Sequence, residues 1–216
     1  MTAPAGPQLS GPPDPVSRSS RTRAIVVAVC GSAATGVVLG GLWAWIAPPI
    51  HAVVAMTKAG ERVHDYLGDE SQHFFDAPCL MLGLLTVLAV VAAVLAWQWR
   101  GHRGPGMAVG LTIGLAAAAT AASATGAALV RLRYGALNFD AVPLPAGHPS
   151  VAYVYQAPPV FFSDAPAQVA ITLLWPAAIG ALVYAVLAAA DARDDLGAHP
   201  LSGRASNTLE PHAPVS

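Results

Sequence analysis

Polar and apolar positions in this chain separate into long blocks rather than alternating. Charge-free stretches run from Ala24 to Ile50, Ala77 to Trp99, Gly104 to Val130 and Ala165 to Ala190, and the charged residues fall between and beyond them. A helix needs roughly 20 apolar residues to cross the hydrocarbon layer of a bilayer, and each stretch meets that length. A spanning segment must satisfy its own backbone hydrogen bonds, which a helix does. The pattern therefore predicts an all-α membrane protein, a four-transmembrane-helix bundle with spans of about 24–47, 77–99, 106–130 and 165–190.

Composition agrees. Of the 216 residues, 55% are hydrophobic and 11% charged, against about 25% charged in an ordinary soluble domain. The formal net charge of −1 gives no broad basic field, so nucleic acid is not an expected partner. Residues 1–23 and 198–216 are rich in Pro, Ser and Gly. They predict disordered cytoplasmic tails flanking a membrane domain at 24–197. Asp191 to Leu196 is expected to carry the last helix past the membrane, with Gly197 ending it. The first stretch is too long for a cleaved signal peptide and lacks a small-x-small cleavage site. Val29, ahead of Cys30, does not suit lipid attachment. Cys30 and Cys79 open antiparallel stretches, so they are placed toward opposite faces, too far apart for a disulfide. Both are expected to be buried packing thiols.

Orientation follows from the basic residues. Arg18, Arg21, Arg23, Arg100, Arg103, Arg193 and Arg204 lie on one side of this topology, and Lys58, Arg62, Arg131 and Arg133 on the other. Because Lys and Arg concentrate in the cytoplasm, both termini are predicted to be cytoplasmic, in the plasma membrane. Trp43 and Trp45, and Trp97 and Trp99, fit interface anchors.

Small residues recur at four-residue spacing on two of the stretches. Ser32, Gly36 and Gly40 form one such face, and Gly110 and Gly114, continued by Ala118, Ala122 and Gly126, form the other. Such faces let helix backbones approach closely, within one molecule or between two copies. The third stretch, Ala-rich and weakly hydrophobic, is expected to be surrounded by protein, and the second, rich in Leu and Val, to face lipid. Pro176 removes a helix hydrogen bond and bends the fourth. No stretch holds Asp, Glu, Lys, Arg or His, which argues against a proton-coupled pump. The hydroxyls of Thr112, Thr120, Ser123 and Thr125 either line a pore or bond their own helix.

The outer loops carry the remaining chemistry. His51 to Thr57 and Arg62 to Leu67 flank the turn Lys58-Ala59-Gly60-Glu61, which predicts a hairpin; an amphipathic helix is the alternative. Val151 to Tyr155 alternates with a period of two, and Leu137 to Val142 is a further candidate strand. Together they predict a small extracytoplasmic β element of two to four strands. Phe74-Phe75-Asp76-Ala77-Pro78 and Phe161-Phe162-Ser163-Asp164-Ala165-Pro166 introduce the second and fourth stretches. Each offers an Asp to cap the helix start and a Pro for its first turn, two solutions to one entry problem rather than a duplication. His64, Asp65, Asp69, Glu70, His73 and Asp76 are metal-capable but match no compact ligand motif, so no metal, cofactor or catalytic residue is assigned. Arg131 and Arg133 stand against the cytoplasmic bias. They either pair with Asp76, Asp140 or Asp164, or contact a lipid phosphate or a partner carboxylate.

The segments Gly41 to Pro49, Arg62 to Gly68, Trp97 to Arg100, Val130 to Gly135, Ala157 to Phe162 and Ala192 to Gly197 resemble an uncharacterised four-span membrane protein family of actinobacteria, including mycobacteria. The resemblance covers about residues 24–197 and implies location and fold, with no activity and no catalytic residues. The expected function is a non-catalytic scaffold or accessory subunit of a cell-envelope complex, embedded in the lipid bilayer and contacting a membrane-protein partner or a second copy. A small transporter or channel component is the alternative, and a membrane enzyme acting on lipid or envelope substrate the third.

Overall fold

The computed structural model describes residues 15–100, 103–146 and 150–191. Helix α1 (Pro15–Ile46) leads into strands β1 (Ile50–Met56) and β2 (Arg62–Tyr66). A 3-10 turn at Glu70–Gln72 opens α2 (His73–Gln98), and α3 (Pro105–Tyr134) follows. A second 3-10 turn at Phe139–Ala141, strand β3 (Val151–Gln156) and α4 (Pro166–Ala190) complete the order. All four α-helices are long and apolar enough to cross a membrane. The three strands form one antiparallel sheet, ordered β2-β1-β3, at the end of the bundle where α1 finishes. That end is called the sheet end below, and the end where α2 meets α3 the tail end.

The helices are not arranged in chain order. Helix α1 packs chiefly on α3, α3 on α4, and α4 on α2. Half of the most apolar window of α3 is buried inside the molecule, against 11% of that of α1 and 22% of that of α2. The most Ala-rich helix can be central because its small side chains leave room for neighbours on several sides. The most exposed helix is α1 rather than the expected α2.

The α1–α3 contact is built on the small-residue faces. Ile25 meets Gly110, Ser32 meets Gly114, Gly36 meets Ala118, Gly40 meets Ala122 and Trp43 meets Gly126. The series rises together on both helices, so the two run parallel. A Cβ on Gly36 would fall 2.8 Å from the Ala118 Cα, and one on Gly40 3.0 Å from the Ala122 Cα. Ordinary carbon contacts lie at about 3.5–4.0 Å, so only glycine permits this approach. The small-residue faces therefore meet each other inside one molecule.

Several expectations are corrected. Helix α1 begins at Pro15, so Arg18, Arg21 and Arg23 stand on its first turns rather than in a disordered tail. Helix α4 stops at Ala190, where Asp191 turns extended (φ −79°, ψ 115°); residues 192–216 lie outside the described residues, as do 1–14. The candidate strand at Leu137 to Val142 is a 3-10 turn instead, because the Asn138 side chain accepts the Asp140 N–H at 3.0 Å and curls the backbone. Neither Asp76 nor Asp164 caps a helix: α2 starts earlier, at His73, and the N-cap positions are Gln72 and Ala165, with no side-chain bond. Asp76 still sits in the first turn of α2, where its charge suits the helix dipole. Cys30 and Cys79 are free and exposed, not buried. Trp43 is no interface anchor: it is fully buried and donates its ring N–H to the Ala77 carbonyl at 2.8 Å, bolting α1 to α2. Trp45, 76% exposed, keeps the position expected of an anchor.

Candidate functional site

Chemistry-bearing side chains gather on the sheet and its supports. Alternation along β1 sends Ile50, Ala52 and Val54 to one face, where all three are buried, and His51, Val53 and Ala55 to the other. The chain around the second 3-10 turn covers part of this buried face, while Arg62 and His64 of β2 stay exposed at its edge. The Arg62 guanidinium donates to the carbonyls of Phe139 (3.2 Å) and Val142 (2.8 Å). His64 stacks on the Phe139 ring at 4.2 Å, and Tyr66 meets Phe74 edge-on at 5.2 Å.

The second face is open. Val53 stands opposite both Asp65 and Tyr153, Ala55 opposite Val63 and Val151, and His51 opposite Tyr155. Directly opposed residues share a face. This face therefore carries Tyr155 and Tyr153 along β3 and, across β1, Val63 and Asp65 of β2; Tyr155, Tyr153 and Val63 are exposed by 56%, 72% and 46%. The His51 ring leans edge-on against Tyr155 at 4.6 Å.

Beside this face the hairpin is tied to the start of α2. The His51 backbone N–H donates to Glu70 Oε2, and His51 Nδ1 lies 2.5 Å from the same oxygen. Glu70 lies in the 3-10 turn, ahead of the apolar stretch of α2. Burial raises its carboxyl pKa, but the His51 N–H, the His51 ring and the charges of His51 and His73 lower it further, holding it below its usual range. His73 Nδ1 contacts the Pro49 carbonyl at 2.9 Å. So the metal-capable residues do not converge. Among the described residues no three His, Cys, Asp or Glu side chains are grouped to hold an ion.

Arg131 and Arg133 occupy the last turn of α3, where cations suit the helix dipole. Neither forms an ion pair among the described residues, so the expected pairing with Asp76, Asp140 or Asp164 is not made. Two residues apart on a helix, they point in different directions. Arg133 lies 5.3 Å from the Tyr134 ring. Asp76 and Asp164 are both exposed. The two Phe-Phe entries do meet, with the Phe75 and Phe162 rings 5.4 Å apart. Within α3 the hydroxyls diverge: Thr112 and Thr120 bond the Val109 and Ala116 carbonyls of their own helix, while Ser123 is buried.

Sequence patterning missed four contacts. His51–Glu70, Arg62 with Phe139 and Val142, and Trp43–Ala77 each join segments distant in the chain. At the tail end, Arg103 pairs with Asp191 at 2.8 Å, donates to the Trp97 carbonyl and lies 4.2 Å from the Trp97 ring centre. Only the last left a signal, an Arg close after a Trp at a membrane-boundary position.

Residues 32–198 match the family described as "Protein of unknown function (DUF2567)". An uncharacterized protein of Mycobacterium leprae is 69% identical over 182 residues, covering 84% of this chain and 91% of that protein. Uncharacterized proteins of Mycobacterium bovis and Mycobacterium tuberculosis are each 64% identical over 191 residues, covering 86% of this chain and 99% of theirs. No solved structure matches.

Proposed function

The chain belongs to the DUF2567 family, and from that premise we propose that it is a multi-pass plasma-membrane protein serving as a non-catalytic accessory subunit of a cell-envelope complex. The sheet faces the outside, both termini face the cytoplasm, and a partner protein docks on the open sheet face. The observation that carries this is the exposed Tyr155, Tyr153 and Val63 on the sheet face opposite the buried Ile50, Ala52 and Val54. Tyrosine is enriched at protein interfaces, where its ring is buried and its hydroxyl bonded. The ionisable cap residues support the non-catalytic part: His51, His64 and His73 each engage a separate partner rather than a common point. Support for the orientation is the excess of basic residues in the segments assigned to the tail side, seven against four at the sheet end.

The test is a photoreactive phenylalanine analogue in place of Tyr153, activated in living cells. A discrete adduct with one envelope protein, lost on Val63→Asp, is expected. Adducts with a second copy alone, or solute flux from liposomes containing only this chain, would replace the reading with a self-assembling transporter. Topology is checked separately by single cysteines: one at Ala59 should react with an impermeant thiol reagent on intact cells, and one at Gly101 should not.

A further inference from the structure

The separation of α1 from α2 has a consequence at the tail end. Both helices lean on other neighbours, and between them and the first turns of α3 lies a cleft of about 450 Å³. Its walls include Ala28 of α1, Ala92 and Ala96 of α2, and Gly110 of α3, with Trp99 at the rim. From Ala92 to Gln98 the cleft follows α2 for about 9 Å, at the 1.5 Å rise of a helix. The walls are mostly apolar, with Leu95, Met107 and Leu111 beside the small residues, which suits a flexible hydrocarbon chain. Trp99, 53% exposed, is the side-chain type that sits at headgroup level.

Basic side chains stand toward this mouth. Arg103 is neutralised by Asp191. Arg23 and Arg100 are exposed and make no ion pair among the described residues. Arg23 lies about 8 Å further along α1 from Ala28, and Arg100 follows Trp99 directly. An apolar slot that ends at an exposed Trp, with Arg100 next to it in the chain and Arg23 further along α1, both without an ion-pair partner among the described residues, is complementary to a lipid with an anionic headgroup. Arg binds phosphate through two parallel hydrogen bonds.

We propose that this cleft holds an acyl chain of an anionic glycerophospholipid from the cytoplasmic leaflet, with its phosphate held by Arg23 and Arg100. The proposal rests on the helices lying in a bilayer, as in the function proposed above, and not on any partner of the sheet. Ala28, Ala92 and Ala96 are then small because the lipid chain occupies the volume their side chains would otherwise fill.

The experiment uses the full chain in nanodiscs containing phosphatidylglycerol with a diazirine on one acyl chain, mapped by mass spectrometry after illumination. Label should concentrate on the segments bearing Ala28 and Ala92. Unlabelled phosphatidylglycerol should compete for it, and phosphatidylcholine should not. Ala28→Phe with Ala92→Phe should lower the label at least fivefold by filling the slot. Arg23→Gln with Arg100→Gln, which disturbs no packing, should make the two lipids compete equally, and keeps the test decisive if the phenylalanine variant does not fold. Even labelling of all exposed helix faces would overturn the proposal. So would equal competition in the unaltered chain, or labelling of the cleft that disappears when a co-purifying protein is bound. A sheet-face partner found without lipid selectivity would sink this inference alone, and lipid selectivity without a partner would leave it standing while the accessory role falls.

Discussion

Gly36→Ala and Gly40→Ala test the helix arrangement most directly. A methyl group at Gly36 would sit 2.8 Å from both the Cα and the carbonyl carbon of Ala118, and at Gly40 3.0 Å from the same atoms of Ala122. These are backbone atoms, so no rotamer change relieves the overlap. The carbonyl oxygens of Ala118 and Ala122 lie closer still, so helix α1 must retreat by about 1 Å to restore ordinary contact, and a gap of that size forfeits up to about half of each dispersion contact. The loss extends along the whole interface, because α1 has little other packing. Overpacking of this kind costs about 1–3 kcal/mol. Removing a helical glycine returns about 0.5–1 kcal/mol through the backbone. Each substitution is therefore expected to destabilise by about 1–2 kcal/mol, and the pair by less than the sum, since one retreat relieves both. Gly31 and Gly83 are internal controls on the same kind of helix: a Cβ at either meets nothing within 4 Å. Their Ala variants should be neutral or gain up to about 1 kcal/mol. The measurement is reversible SDS titration in mixed micelles, followed by circular dichroism. If Gly36→Ala and Gly31→Ala shift the midpoint equally, the parallel α1–α3 contact is wrong.

Trp43→Phe keeps the bulk but leaves the buried Ala77 carbonyl without its ring donor. It should cost about 1–2 kcal/mol in the same titration. Gly135→Ala places a side chain at φ +72° just past α3 and should cost about 1–2 kcal/mol, moving the midpoint without altering the helix contacts. Because the folded-state pKa of Glu70 is depressed, its tie to His51 contributes fully above the unfolded carboxylate range and is lost as pH falls through the lowered value. Exchange of the His51 amide should therefore accelerate as pH falls below the usual carboxylate range, and in Glu70→Gln it should be fast and independent of pH over that window once corrected for the intrinsic rate.

How much of this was legible in the sequence depends on how local each cause is. Absence of charge over roughly 20 residues is a property of the segment itself, so four long helices followed from composition. The hairpin was legible for the same reason: β-branched stretches flank a glycine turn, and Gly60 takes φ +82° there. At Leu137 to Val142 the local signal misled, since one Asn138 hydrogen bond outweighed the apolar pattern. The spacing of Ser32, Gly36 and Gly40, and of Gly110 and Gly114, announced close contacts but not their partners, because small residues permit approach by any smooth face. Only the tertiary structure decided that α1 lies along α3. That choice requires Gly36 and Gly40 of one helix to meet the Ala118 and Ala122 backbone of another at once. It also decided that β1 buries one face and leaves Tyr153 and Tyr155 open, and that α1 and α2 part at the tail end to form a cleft. The sequence by itself determined which segments can leave water. Packing between segments far apart in the chain determined which surfaces remain uncovered, because coverage depends on the neighbour as much as on the residue.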